Sequence, residues 1–336
     1  MALLRTIFLR CLTTAVTLLG VAVIVFVVIR VVPGNPIAMM LPPSATDADV
    51  ARLTALYGLD KPIPEQFLIW VAGVLHGDFG HSITSRQPVL QLVLGRLPAT
   101  LELSIMALVI AIIMGGFAAL TGTRLRGTRT EGAIDIGNGM ALSVPDFLWG
   151  LVLILLFGVL IPVFHISGRV TPSLQLPFSS NFYLFESVLR LRFDLWADIV
   201  SHMFMPALAL AIPLSAVIGQ LLKQSLKETM HLDYVTLART KGYGENHVIL
   251  REALPNAILP TLTLVGVQFT FLIGGTVIIE RLFSYEGLGN MAIDAVINRD
   301  LPLIQGIVIL FAVIFTAVNL IVDLLYSALN PRLRHA

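Results

Sequence analysis

Lysines are the first residues to test for phosphate chemistry, because a nucleotide-cradling loop follows its glycines with Lys and then Ser or Thr. Lys61, Lys223, Lys227 and Lys241 are followed by Pro, Gln, Glu and Gly, so the chain has no such loop. Metal-assisted hydrolysis on a helix would set two histidines four apart around a glutamate. None of the seven histidines has that spacing, and His202 reads as an interfacial, hydrogen-bonded histidine. The sequence therefore offers no metal site. The single cysteine, Cys11, rules out an internal disulfide and reads as a small apolar residue. The nucleophile and base that an intramembrane enzyme needs are not found together either.

What remains is a set of polar residues inside apolar runs, where a charge costs about 2.5 to 3.5 kcal/mol on insertion scales. Asp146 in "SVPDFLWG" stands next to Pro145, which frees a backbone carbonyl, so both ask for a polar cavity or a partner. Gln268 in "GVQFTFLIGG" makes the same demand more weakly, and Glu280 beside Arg281 is either a gate pair or an interfacial ion pair. Asp146, Gln268 and Glu280 are the candidates for a translocation path. A different polar stretch, "YVTLARTKGYG" at Tyr234 to Gly244, places Arg239, Lys241 and two glycines between long apolar runs.

The elements that hold these residues follow from composition. The chain has 336 residues, 56% hydrophobic and 13% charged, with a mean hydropathy of +0.87. Soluble domains run at about 45 to 50% apolar and about 25% charged. An all-α polytopic membrane protein is expected. The net charge of +1 carries no nucleic-acid signature.

Six runs are long enough to cross a bilayer: about Ile7 to Val32, Ala99 to Thr121, Ala133 to Ile161, Ile199 to Leu222, Ile258 to Ile279 and Leu303 to Leu325. The first follows Arg5 and Arg10 like a secretion signal, but it is too long for one and no small-residue cleavage site follows. With the N-terminus cytoplasmic, that side holds twelve of the 22 basic residues against seven acids, so both termini are expected inside.

The first outer connection, Pro33 to Pro98, is long enough to have structure of its own. Thr46, Asp47 and Asp49 resemble a cap for a short helix with Val50, Leu53 and Tyr57 on one face, and Pro64 starts a second amphipathic helix whose Trp70 suits a membrane surface. A second outer connection, Pro162 to Asp198, holds "NFYLFESVLRLRFDLW". These segments either shield span ends or form a platform for an extracytoplasmic partner. No internal repeat is found, and residues 1–336 read as a single transmembrane domain with a structured 33–98 segment and a cytoplasmic loop over 223–257.

In that loop Asp233 is placed to cap a helix, Arg239 and Lys241 fall in its last turn, and Gly242 fits the left-handed position that stops it. Helices this short are marginal in water, so something must hold it. Tyr234, Leu237 and Ala238 share one face, which packs either on the protein itself or in a cleft of a cytoplasmic subunit. A second helical pattern from Glu245 ends at Pro255 and Pro260.

The stretch "YVTLARTKGYGENHVILREALPNAILP" resembles the cytoplasmic coupling loop of permease subunits of ABC importers. Ala238, Gly242, Leu254 and Pro255 occupy the motif's places, whereas Thr236 stands for its acid and Leu237 for its first alanine. The likeness extends in order through "VVPGNP", "LYGLDKPIPEQFLIWVAGVLHGDFGHSI", "RLPATLEL", "NRDLPLIQG" and "DLLYSALNPRLR", and narrows to the dipeptide, oligopeptide and nickel branch. "ERLFSYEGLG" is similar to that branch's motif after the fifth span, with Glu286 in the place of proline.

The resemblance implies a type I importer fold and a non-catalytic half-permease of the bacterial inner membrane. It also implies a homologous second permease subunit, two cytoplasmic ATPase subunits that use ATP and Mg, and a periplasmic solute-binding protein. No cofactor in this chain is implied. A carrier driven by an ion gradient, with Asp146 as its protonatable site, is the alternative.

Overall fold

The computed structural model describes residues 2–31, 46, 48, 51, 54, 60–174 and 176–329. Most of the helix expected around Thr46 to Tyr57, and the "PGNP" and "NPRLR" stretches, lie outside the described residues. All regular structure among the described residues is helical, apart from one isolated bridge between His81 and Pro88. The residues form two compact units: Met1–Leu97 with Met291–Ala317, and Pro98–Asn290 with Val318–Ala336.

In the first unit, α1 (Ala2–Val31) carries the first apolar run and α2 (Ile63–Leu75) starts on Pro62 and Pro64. Trp70 is not alone at a surface: its ring lies 5.8 Å from that of Phe26 on α1, and Phe67 meets Phe26 edge-on at 5.3 Å. Elsewhere in the unit, the buried carboxylate of Asp300 accepts Ser82 Oγ at 2.5 Å and the amides of Ile83 and Thr84, both at 3.1 Å. It also accepts the Leu303 amide at 3.3 Å. The "GHSI" and "NRDLP" stretches are therefore tied by one carboxylate, because backbone donors without water need an acceptor inside the protein.

The second unit is built on α7 (Phe193–Thr229), whose buried residues include Leu195, Ile199, Met203, Leu210, Leu214 and Ile218. α3 (Val89–Arg124), α4 (Arg129–Ser143), α5 (Asp146–Leu153) and α6 (Tyr183–Leu189) precede it. α8 (Asp233–Thr240), α9 (Glu245–His247) and α10 (Leu254–Leu282) follow; α11 (Leu288–Ile297) and α12 (Leu301–Leu329) come next in the chain and lie mostly in the first unit. α4, α5, α6 and α10 all pack on α7. The approach of α3 to α7 is set by glycines: a Cβ on Gly219 would meet Gly115 O at 3.1 Å and Gly115 Cα at 3.4 Å. Small residues let backbones come this close where apolar burial alone gives little drive between helices.

Among the described residues, four helical stretches, Val89–Arg124, Phe193–Thr229, Glu245–Leu282 and Leu301–Val322, are long and apolar enough to cross a membrane. The run expected as the third span is not one straight helix. α4 ends at Ser143, and the chain resumes at Asp146 after a bend of 104° between Arg129–Ser143 and Asp146–Leu160. Pro145 is the cause: it pushes Val144 out of the helical region, to φ −104° and ψ 124°, and begins a new helix in its own place. That second half continues as π-helix over Ile154–Leu160.

The glycine contact yields a test. Gly219→Val is expected to cost about 1–3 kcal/mol by overpacking and to lower the apparent melting midpoint of the purified chain by several degrees. Gly116→Val, at a site with nothing within 4 Å of the new Cβ, is the matched control and leaves the midpoint near that of the parent.

Candidate functional site

The loop between α7 and α10 is folded onto the core of its own chain. Val235 and Ala238 of α8 are buried with Leu222, Leu226 and Met230 from the end of α7 and with Val248, Ile249 and Ala253 from the segment before α10. Ala238 therefore faces inward, and it does not share an outward face with Tyr234 and Leu237 as the spacing suggested. Tyr234 and Leu237 are 38% and 54% exposed, and Leu232, Tyr243 and Leu250 are exposed beside them. Position 238 is one turn on from Tyr234 but rotated enough that a small side chain there meets Val248 and Ile249 of the returning chain.

The ends of α8 differ in how they match expectation. Asp233 is the first helical residue, with Leu232 in the cap position, and no side chain caps the helix. Its carboxylate acts on the helix dipole in the first turn, with Arg239 in the last. At the other end, Gly242 has φ +83°, its amide donates to Arg239 O at 2.9 Å, and the Tyr243 amide donates to Ala238 O at 3.4 Å. These two bonds are those of a glycine-closed helix end.

Bonds that the sequence did not announce lock the rest of the loop. Arg239 Nη2 donates to Glu245 Oε1 at 2.8 Å, and the Tyr243 and His247 rings stack at 4.5 Å. Asn256 Nδ2 donates to the Tyr234 hydroxyl at 2.8 Å, which fastens α8 to the first turn of α10. Leu254 and Pro255 open α10 directly after a π-helical segment, Val248–Ala253.

The residues proposed for a path lie on two packed helices. Asp146 is the first residue of α5, half-buried, and its carboxylate accepts the Phe147 amide at 2.8 Å. It thus stands at a helix start inside a broken apolar run, where a carboxylate is favoured by the half-helix N-terminus. Trp149 Nε1 reaches back to Ala141 O at 3.4 Å and clasps the two halves. Gln268 is half-buried on α10, and no hydrogen bond joins it to Asp146.

Glu280 is turned fully into the core. It accepts Thr100 Oγ1 at 2.7 Å and the Asn290 amide at 3.0 Å, while the Leu288 amide donates to Thr100 Oγ1 at 2.8 Å. Gly287 and Gly289 lie so close to this carboxylate that neither position has room for a Cβ. Arg281 instead donates to Asn290 Oδ1 at 3.0 Å. Glu280 thus takes the Asn290 amide and Arg281 the Asn290 side chain, and the carboxylate is needed to satisfy the start of α11.

A third polar group lies at the α6 end of the unit. Arg169, buried, bridges Glu102 Oε2 at 2.7 Å and Asn181 O at 2.6 Å, and its guanidinium sits 3.9 Å over the Tyr183 ring. The other oxygen of Glu102 accepts the Leu184 and Phe185 amides at 2.9 and 3.2 Å, closing the start of α6. Glu186 accepts the hydroxyls and amides of both Ser180 and Ser179, which lowers its pKa to about 2.

Comparison with known proteins shows where these features belong. Residues 90–335 match the model of the binding-protein-dependent transport system inner membrane component family, and residues 3–104 match the N-terminal model of the same membrane components. The chain belongs to this family. It is 38% identical over 327 residues to the dipeptide transport system permease protein DppB of Escherichia coli (strain K12), covering 95% of each chain. It is 36% identical over 321 residues to the di/tripeptide transport system permease protein DppB of Pseudomonas aeruginosa (strain UCBPP-PA14), again covering 95% of each. The glutathione transport system permease protein GsiC of Salmonella choleraesuis (strain SC-B67) is 33% identical over 322 residues, covering 95% of each chain.

A crystal structure of an amino acid ABC transporter with histidines superposes on the permease with a TM-score of 0.50 at 17% identity, covering 70% of this chain and 94% of that one. The shared fold is that of an ABC-transporter membrane subunit. The permease is accordingly an inner-membrane component of a binding-protein-dependent importer, a non-catalytic subunit whose ATP is hydrolysed elsewhere. This membership sets aside both the ion-gradient carrier and the intramembrane enzyme.

The depressed carboxylate of Glu186 gives a pH test. Its contribution is present above the unfolded value of about 4.5 and is lost as pH falls toward about 2. Amide exchange over residues 179–190, corrected for intrinsic rate, is expected to accelerate across that interval. Glu186→Gln is expected to exchange fast already at neutral pH.

Proposed function

We propose that this chain is half of the translocation path of an ABC importer for peptides or related small solutes. The six apolar runs are its six spans, with both termini cytoplasmic, and residues 1–336 work as one permease domain. It pairs with a homologous permease subunit, two cytoplasmic ATPase subunits that consume ATP with Mg, and a periplasmic solute-binding protein. The peptide assignment rests on the relatives named for dipeptide and di/tripeptide transport, at 36% to 38% identity over nearly the whole chain.

The observation that carries the coupling role is the loop's construction. A helix of eight residues is held by its own core, stopped by a glycine at φ +83° and tied to α10 through Tyr234 and Asn256, while Tyr234 and Leu237 stay exposed. Asp233, Tyr234, Leu237, Arg239 and Gly242 form the surface an ATPase meets; Ala238, Leu254 and Pro255 seat it. With Thr236 where the motif has an acid, apolar fit rather than charge pairing holds the contact. Rotation of the loop then moves α10 with no slack, so that ATPase closure shifts the spans' equilibrium.

Asp146 and Gln268 line the path on this reading. Glu280 serves it indirectly, by fixing the start of α11.

Gly242→Val forces a β-branched residue into a conformation that only glycine adopts easily. The variant is expected to insert normally and to lose transport and binding-protein-stimulated ATP hydrolysis in the reconstituted complex. Full coupling in that variant would sink the lever assignment. Asp146→Ala is expected to slow uptake or change its selectivity while ATPase assembly stays intact, and unchanged uptake would remove Asp146 from the path.

A further inference from the structure

At the end of α7 away from the coupling loop, the fold brings a distant histidine up to two side chains one helical turn apart. His165 comes from the connection before α6, and Asp198 and His202 stand one turn apart on α7. One ring nitrogen from each histidine and one carboxylate oxygen all lie within 4.8 Å of one another. His165 is exposed, Asp198 half-buried and His202 buried. We propose that these residues bind one first-row divalent transition cation, with Zn2+ as the representative ion.

The donor set selects the class. Imidazole nitrogen suits zinc, copper and nickel, whereas magnesium and calcium take oxygen ligands. The surrounding hydrogen bonds prepare the donors. His202 Nδ1 lies 2.9 Å from the Asp198 carbonyl, which can only accept, so Nδ1 carries the proton. Ser201 Oγ donates to that same carbonyl at 2.7 Å and therefore accepts from His165 Nδ1 at 2.8 Å. In the neutral form of either ring, the nitrogen left bare is then Nε2.

The Asp198 carboxylate is aimed by Thr171, whose amide donates to Oδ2 at 2.9 Å and whose hydroxyl donates to Oδ1 at 2.6 Å. Carbonyl, hydroxyl and amide partners of this kind orient metal ligands from behind.

The two imidazoles stack at 4.0 Å with planes only 4° apart. A cation must lie in the plane of each ring it binds, so the stacked pair cannot hold one as it stands. Binding turns one ring and draws the donors together toward metal–ligand lengths of about 2.0–2.2 Å. His165, on the exposed connection, is the ring with room to turn. Capture of the ion therefore unstacks the pair and pins the connection before α6 to α7.

The test uses the assembled transporter in lipid nanodiscs, purified through a histidine-free tag and dialysed against buffered Zn2+, with metal counted by mass spectrometry. One Zn2+ more per permease chain is expected in the parent than in His165→Ala. Thr171→Val is expected to weaken binding about 10- to 100-fold, and His231→Ala to leave it unchanged. Co2+ in place of Zn2+ is expected to give the visible bands of a four- or five-coordinate site, absent in His165→Ala. Because His165 is exposed, that variant keeps its fold and its result decides the matter. Equal metal content in parent and His165→Ala, or only the spectrum of hydrated Co2+, overturns the proposal.

Discussion

Hydrocarbon offers no hydrogen bonds, so every polar group that a membrane chain buries must find its partner within the protein. This constraint shapes the permease wherever a helix begins inside it. Three buried carboxylates answer it in the same way: Glu102 closes the start of α6, Glu280 that of α11 and Asp300 that of α12. Glu102 does so from 82 residues away and Glu280 from 10 residues back, whereas Asp300 caps α12 locally and also holds the distant Ile83 and Thr84 amides. The positive end of the helix dipole also favours the carboxylate. The motifs shared with the family thus sit where connections have to be closed without water.

The same constraint explains how α4 and α5 can break. Pro145 removes a donor and opens a carbonyl, and the Leu148 and Trp149 amides then donate to Pro145 O at 3.1 and 3.3 Å. Asp146 and the indole of Trp149 complete the repair. A bend of 104° places polar backbone and a carboxylate at the same point of an apolar run, which a straight helix could do only at greater cost. α7 escapes this fate despite Pro206 and Pro213, because its buried faces are held on several sides by α4, α5, α6 and α10.

Much of this was legible in the chain. The long apolar runs, the short helix between α7 and α10 and the left-handed glycine at position 242 all follow from local chemistry. What was not legible depends on the return of the chain. The inward side of Ala238 is set by the return of Val248 and Ile249 to the same cluster, and the partners of Glu280 lie 180 residues away at Thr100 and at Asn290 in the first turn of α11. Pro145 was visible as a perturbation, but periodicity carries no angle and so could not separate a kink from a break. His165 and His202 stand 37 positions apart, and no spacing rule pairs residues that a connection brings back together.

The loop's hydrophobic seat on its own subunit bears on assembly. A segment that orders only on contact pays its conformational entropy at that moment and gives up affinity. Here Val235, Ala238, Val248 and Ile249 are already buried, so that entropy is spent during folding of the permease. On the coupling role proposed above, a partner would meet a surface with its shape already fixed, and the tightness of association would follow how well Tyr234, Leu237 and Tyr243 are covered. Mutations that loosen the hidden side of the loop would therefore appear as weak subunit binding, although none of them touches the partner.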